Sequence, residues 1–266
     1  MSQKTHAGRT ALVTGASGGI GKAIAEQFAR DRANVIIAAR SRAELERLAA
    51  EWSGRHGVTV TPLVADLAQP GAAAQLADEI ESRGLGVDFL VNNAGYGLYG
   101  TFDTTRLEDE LAMMRINMEA LTVLTKRFLP GIKARRGRIM NVASTAAFQS
   151  GPYMAVYYAT KAYVLLLSEA IGEELKDSGV TVTAFCPGPT KSGFQDKAVM
   201  QKSGLVANRK LPGAEQVGID GYRAMMRGRR VYVPGLMNKL LVQSVRFGPR
   251  NLNTAIVAWL SKPVAS

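Results

Sequence analysis

The 266-residue sequence contains one cysteine, Cys186, and two histidines, His6 and His56. A single thiol excludes an internal disulfide and fits a reducing compartment, so a cytoplasmic location is expected. The scarcity of histidine weighs against two chemistries. Zinc is held by cysteine and histidine clusters, and neither a cluster nor an H-E-x-x-H pattern occurs, so no metal is expected. A serine hydrolase of the α/β type needs an acid and then a histidine after its serine. Gly15-Ala16-Ser17-Gly18-Gly19 has the G-x-S-x-G spacing of such a nucleophile elbow. His6 precedes it, however, and His56 lies in "SGRHG" ahead of Asp66, so Ser17 lacks a base in the required order.

Long apolar runs are also missing. Val164–Leu167 and Ala255–Leu260 are among the longest and fall far short of a bilayer span. The N-terminal "MSQKTHAGRT" has no apolar signal core. Acidic residues are few: 22 against 33 Lys and Arg, for a net charge of +11. The excess is concentrated in residues 197–250, where eleven basic residues face only Glu215 and Asp220. Such charge bears on solubility, steering and anionic partners rather than on fold. Nucleic acid is one candidate partner. With aromatic residues at 7% and no recognisable binding motif, no specific nucleic acid is expected.

What is present is an apolar chain with ordered alternation. Hydrophobic residues make up 47%, enough for one sizeable core. "TALVT" (10–14), "NVIIAA" (34–39), "VTVTPLVA" (58–65), "VDFLVNNA" (87–94), "GRIMNVAS" (137–144) and "VTVTAFCPG" (180–188) read as strands, and "RRVYVPG" (229–235) as an edge strand. Helical stretches follow the first two strands and recur near 70–83, 106–130 and 158–177. The strands are apolar throughout, which suits burial on both faces. Alternating strands and helices imply right-handed βαβ crossovers. The predicted fold is α/β: a single-domain, Rossmann-like, doubly wound parallel sheet of about seven strands flanked by helices. The domain spans 1–266.

"TGASGGIG" (14–21) closes the first strand and opens the first helix. Glycines there let backbone approach a pyrophosphate, while the helix N-terminus supplies N–H donors and a positive dipole. Far downstream, Tyr157 and Lys161 lie four apart in "YYATK" and share a helical face. A neighbouring ammonium favours the ionised phenol. Bringing a tyrosine from ~10 to near neutrality needs about 4 kcal/mol, which a lysine together with an oxidised nicotinamide can supply. Tyr153 and Tyr158 are rivals for that role. Ser144 ends a strand thirteen residues before Tyr157, and Asn117 sits on an otherwise apolar helical stretch.

This set resembles the short-chain dehydrogenase/reductase family over roughly 9–190, through T-G-A-S-G-G-I-G, Asp66-Leu67, N-N-A-G (92–95), Asn117, Ser144, Y-Y-A-T-K and P-G-P-T (187–190). The resemblance selects Tyr157 over its rivals through the motif Y-x-x-x-K. It implies that Tyr157 exchanges a proton with the substrate oxygen, that Lys161 lowers its pKa and binds the nicotinamide ribose, and that Ser144 binds the substrate oxygen. Asn117 would hold a water that relays protons to Lys161. The cofactor would meet Gly15, Ser17, Gly19, Ile20 and Gly21 at its phosphates. Asp66 and Leu67, with Asn93, Ala94 and Gly95, would lie on its adenosine side, and Pro187, Gly188 and Thr190 at its nicotinamide end. An NAD site places an acid about 20 residues past the glycines. Here the second strand ends "AARSR", and Arg40 is suited to a 2′-phosphate. NADP(H) is therefore expected, with NAD(H) as the second choice.

Residues 192–230 stand where this family builds a helical substrate lid, with Phe194, Val199, Met200, Leu205 and Val206 as candidate lining. A helical extension over 236–262 follows, read as a dimer surface, a peripheral membrane contact or a cover for the lid. The extension resembles the branch with 3-oxoacyl and 17β-hydroxysteroid type reductases. This implies reduction of a bulky, mostly apolar ketone or oxidation of the matching alcohol. A non-catalytic dinucleotide sensor is the alternative. The family further implies a homodimer or homotetramer through helices near 106–130 and 157–177.

Overall fold

The computed structural model describes residues 6–191 and 211–263. Seven parallel strands form one sheet: β1 (Thr10–Thr14), β2 (Asn34–Ala39), β3 (Val60–Val64), β4 (Phe89–Asn92), β5 (Arg138–Val142), β6 (Thr181–Phe185) and β7 (Val231–Tyr232), in the spatial order β3-β2-β1-β4-β5-β6-β7. The chain reverses its direction of travel across the sheet between β1 and β4. In such sheets the crevice outside that point is where ligands bind.

The continuous apolar character of the strands has a direct structural cause. Ala11 and Val13 of β1 and Val35 and Ile37 of β2 enter one core layer, with Phe28 of α1 (Gly19–Arg30) and Leu48 and Trp52 of α2 (Arg42–His56). The intervening Leu12, Ile36 and Ala38 enter the opposite layer. There they meet Leu76 and Ile80 of α3 (Ala72–Ser82) and Leu124, Phe128 and Ile132 of α5 (Ala120–Ala134). Period-two alternation thus feeds two cores, and neither strand face can be polar.

The predicted helix over 106–130 is interrupted. α4 (Leu107–Met114) passes into one π-helical turn, Arg115–Glu119, before α5 begins. Such turns are frequent at functional sites, and this one carries Asn117. After β5, α6 (Ala155–Glu174) crosses back to β6. Helix α7 (Ala214–Met226) then leads to β7, and α8 (Leu236–Ser244) and α9 (Arg250–Ser261) complete the chain.

One expectation is corrected here. The second half of the stretch read as a lid, 192–230, is α7, a core-layer helix. Val217, Tyr222 and Met225 are buried in the same layer as α1. Gly218 lies so close to α1 that an added Cβ would come 2.5 Å from Ala23 Cβ. The first half, including Phe194, Val199, Met200, Leu205 and Val206, lies outside the described residues.

Candidate active site

A cavity of about 900 Å³ opens at the carboxyl edge of the sheet. Its floor at one end is the glycine loop. Gly15 sits at φ +67, in the left-handed region that favours glycine, and an added Cβ would meet Asn93 and Ala94. Ser17, Gly19 and Ile20 line the cavity. Gly21 does not: it is buried behind the loop, where an added Cβ would strike Asn93 Nδ2 and the Gly15 carbonyl. No side chain caps α1 and no acid stands in its first turn, so its N–H groups and positive end are directed at the cavity. Asn93 lines the cavity and also braces the loop. Its Nδ2 donates to the Thr14 carbonyl at 2.9 Å and to that of Gly15 at 3.3 Å, so its amide braces the loop from behind.

Arg40, at the exposed end of β2, and Ser41 line the cavity beside Ala38 and Ala39, which offer no carboxylate. Among the described residues Arg40 has no ion-pair partner, whereas Arg42 is paired with Glu46 on α2. Asp66 accepts from the Ala68 amide at 3.2 Å, which folds the Asp66-Leu67 turn against the cavity. Ala94 and Gly95 continue the wall.

At the other end Ser144, Tyr157 and Lys161 converge. Ser144 caps a short 3₁₀ turn by accepting from the Ala146 amide at 3.1 Å. Its hydroxyl also meets the Tyr157 phenol. The Lys161 ammonium donates to the Val142 carbonyl at 2.8 Å and lies 5.8 Å from the centre of the Tyr157 ring. Pro187, Gly188 and Thr190 form the facing wall. Asn117 stands behind the wall. Its side-chain oxygen accepts from the Tyr96 amide, and its Nδ2 donates to the Tyr96 carbonyl and to Thr160 Oγ1, each at 3.0 Å. The side chain is fully engaged in joining the π turn to α6 at the residue next to Lys161.

Burial dominates the electrostatics of this pair. The Tyr157 phenol is pushed well above its ordinary value, first by burial, with the Ser144 hydrogen bond opposing. Burial likewise pulls the Lys161 ammonium down to about 8. The i,i+4 spacing does put both groups on the cavity wall. Desolvation nevertheless outweighs the attraction of one ammonium held by a carbonyl. An acidic phenol in this site needs more positive charge than Lys161 provides. Tyr158, also pushed up to about 12 by burial, packs its ring over Gly151. Tyr153 stacks on Tyr99, with ring centres 5.9 Å apart.

Beyond Tyr157 the cavity becomes apolar. Met154 and Tyr96 contribute, and then Met237, Leu241, Val242 and Val245 from α8 and its end, and Ile256, Val257 and Leu260 from α9. Among the described residues this end is built by the C-terminal extension rather than by the stretch read as a lid. The helical stripe of "GLMNKLLVQSVRFG" was visible in the sequence, but what it packs against was not. Asn238 of α8 rests on Gly188, where an added Cβ would lie 2.7 Å from its amide.

The short chain dehydrogenase family model matches residues 9–203. Oxidoreductase UcpA of Escherichia coli is 38% identical over 201 residues, 74% of each chain. A short-chain dehydrogenase from Sphingobium yanoikuyae, solved in complex with NADPH, superimposes with a TM-score of 0.80 at 28% identity, covering 97% of this chain and 98% of that one. A 7beta-hydroxysteroid dehydrogenase gives a TM-score of 0.83 at 25% identity, covering 97% and 99%.

Proposed function

The chain belongs to the short-chain dehydrogenase family, and from that membership we propose that it is an NADPH-dependent reductase of a bulky, mostly apolar ketone, or the reverse oxidase of its alcohol. It is an oxidoreductase acting on CH–OH groups. The observation that carries the finer reading is one continuous cavity. It runs from an uncapped helix N-terminus, past a serine, a phenol and an ammonium, into an apolar end lined by the C-terminal helices.

The residues present fit a dinucleotide. The left-handed Gly15 and the open N-terminus of α1 suit a pyrophosphate, and the unpaired Arg40 suits a 2′-phosphate. The NADPH held by the Sphingobium relative points the same way. When bound, the cofactor supplies the hydride. In this reading Ser144 holds the substrate oxygen beside the phenol. Tyr157 gives that oxygen its hydroxyl proton during reduction and takes it back during oxidation. Lys161 adds positive charge beside the resulting phenolate and is placed to bind the nicotinamide ribose. Asn117 keeps the π turn and Thr160 in register, so Lys161 is held at Val142; a water on this turn would connect Lys161 to solvent.

The apolar end, and the hydroxysteroid dehydrogenase among the relatives, support a 3-oxoacyl or steroid-like substrate. A homodimer or homotetramer through α4, α5 and α6 is supported on two of these helices, by the exposed Leu107, Leu111 and Met114 of α4 and Leu166 of α6. The lone buried Cys186 fits a cytoplasmic site of action.

The test is a panel of ketones and secondary alcohols followed by cofactor absorbance. Turnover is expected to rise with apolar bulk. NADPH binding without turnover on any member would leave the dinucleotide sensor instead. Dissociation constants should favour NADPH over NADH by about tenfold or more, and Arg40→Ala should remove most of that preference. Tighter binding of NADH by the wild type would overturn the cofactor assignment.

A further inference from the structure

The C-terminal helices present apolar side chains to solvent where a folded chain usually hides them. On α9, Leu252, Ile256 and Trp259 form one exposed stripe, while Val257 on the other side is buried against the tyrosines of the active site. The end of α9 is pinned by the Tyr99 hydroxyl, which donates to the Ser261 carbonyl at 2.6 Å. On α8, Leu236 and Leu240 are exposed and Val242 is buried. Phe247, in the turn between the helices, is 89% exposed, and Trp259 71%. The turn is ordered by Asn253, whose Nδ2 donates to the Val245 carbonyl at 2.8 Å and the Gly248 carbonyl at 3.2 Å. Patches of this kind mark interaction surfaces.

Charge decides which partner. Residues 236–262 carry Lys239, Arg246, Arg250 and Lys262 and no acid, and no acidic residue follows Asp220 in the sequence. A second copy meeting this face by two-fold symmetry would bring the same cations together. An anionic lipid surface offers negative headgroups above hydrocarbon, which matches both features at once. No described helix is long and apolar enough to cross a membrane, so the pair would lie on the surface.

The face is also continuous with the cavity. Met237, Leu241 and Ile256 line the cavity and are themselves about half exposed or more, so they form the rim of its mouth.

We propose that α8, α9 and the turn between them dock the protein on an anionic bilayer surface, with the cavity mouth against the lipid. An apolar substrate then enters from the membrane rather than from water. This use of the face rests on the substrate reading above; the docking does not.

The full-length protein is mixed with vesicles of phosphatidylcholine alone or with phosphatidylserine, and binding is followed by co-sedimentation and tryptophan emission. Trp52 is buried and Trp259 exposed, so a blue shift on binding reports Trp259. Binding and a blue shift are expected with phosphatidylserine, much less with phosphatidylcholine alone, and both should weaken with salt. Arg246→Gln and Arg250→Gln should each weaken binding about fivefold. Phe247→Ser with Leu252→Ser should abolish the shift while the circular dichroism spectrum is kept. Absence of binding to the anionic vesicles overturns the proposal. So does binding that these variants leave unchanged, or a blue shift that grows with protein concentration in the absence of vesicles, which would assign the face to a second copy. Turnover is not measured, so failure here leaves the reductase reading standing, and failure of that reading leaves the docking result intact.

Discussion

The two edges of the sheet solve opposite problems. At the amino edge, Asp88 is buried, yet its carboxylate accepts from the Thr10 amide and pairs with Arg135 Nε, each at 2.8 Å. Arg135 also donates to the Val87 carbonyl at 2.9 Å. Arg138 donates to Thr181 Oγ1, also at 2.9 Å. Polar groups there satisfy one another and close the edge. At the carboxyl edge, Ser144, Tyr157, Lys161 and Arg40 border open space, and burial displaces both the phenol and the ammonium from their ordinary titration. One edge holds the fold together, and the other keeps groups in states that a fold alone would not favour.

The sharpest way to break this comparison is to remove one atom from the carboxyl edge. Tyr157→Phe deletes the hydroxyl and leaves the ring in its packing with Tyr158. It should lower kcat by roughly 10³-fold, in the range for a lost general acid. Thermal stability and NADPH dissociation constant should stay near wild type. A variant that turned over at wild-type rates would remove Tyr157 from the chemistry. Tyr158→Phe, its neighbour, should keep most activity.

At the amino edge the same kind of deletion should do the reverse. Asp88→Ala leaves Arg135 without its carboxylate and the Thr10 amide without its acceptor. A cost of about 3 kcal/mol is expected, at the low end for a broken buried pair because Arg135 is 43% exposed and can turn to water. Urea midpoints should fall, while kcat/KM for the folded fraction should not. A comparable loss in kcat/KM would show that the two edges are coupled.

The sequence made this division only half visible. Strands fed into two cores are apolar at every position, so β1, β2 and β4 stood out, and the glycine loop and Y-x-x-x-K marked the carboxyl edge. Helix α7 was hidden by its own packing. Gly218 and Gly221 are small because Ala23 and Phe185 press against them, a contact that no local pattern announces. The π turn at Asn117 has no local signature in the sequence. The burial of Tyr157 was not legible either, because spacing shows which groups are neighbours, not how deeply they are buried.

The smallest effect sharpens the comparison through pH. The Lys161 ammonium is held at about 8 by burial, below the ordinary lysine value of about 10.4. Below the lower value the folded protein carries a desolvated charge that the unfolded chain hydrates freely. Between the two values the unfolded chain binds more protons, so stability should rise with pH and be lost again as pH falls toward 8. One proton gives at most about 1.4 kcal/mol per pH unit, so about 1–2 kcal/mol is expected between about pH 8 and pH 9.5. The Cys186 thiol, pushed up to about 12 by burial, opposes this from about pH 8.5, where an unfolded thiol titrates, and Tyr158 opposes it higher up, so the net curve of the wild type is flatter than the Lys161 contribution alone. Urea unfolding of wild type and Lys161→Met across that window isolates the contribution: the wild type should gain on the variant as pH rises. Parallel curves would mean that Lys161 stays protonated through that window in the folded protein as it does in the unfolded chain. The carboxyl edge would then carry no such strain, and the contrast between the two edges would rest on Tyr157 alone.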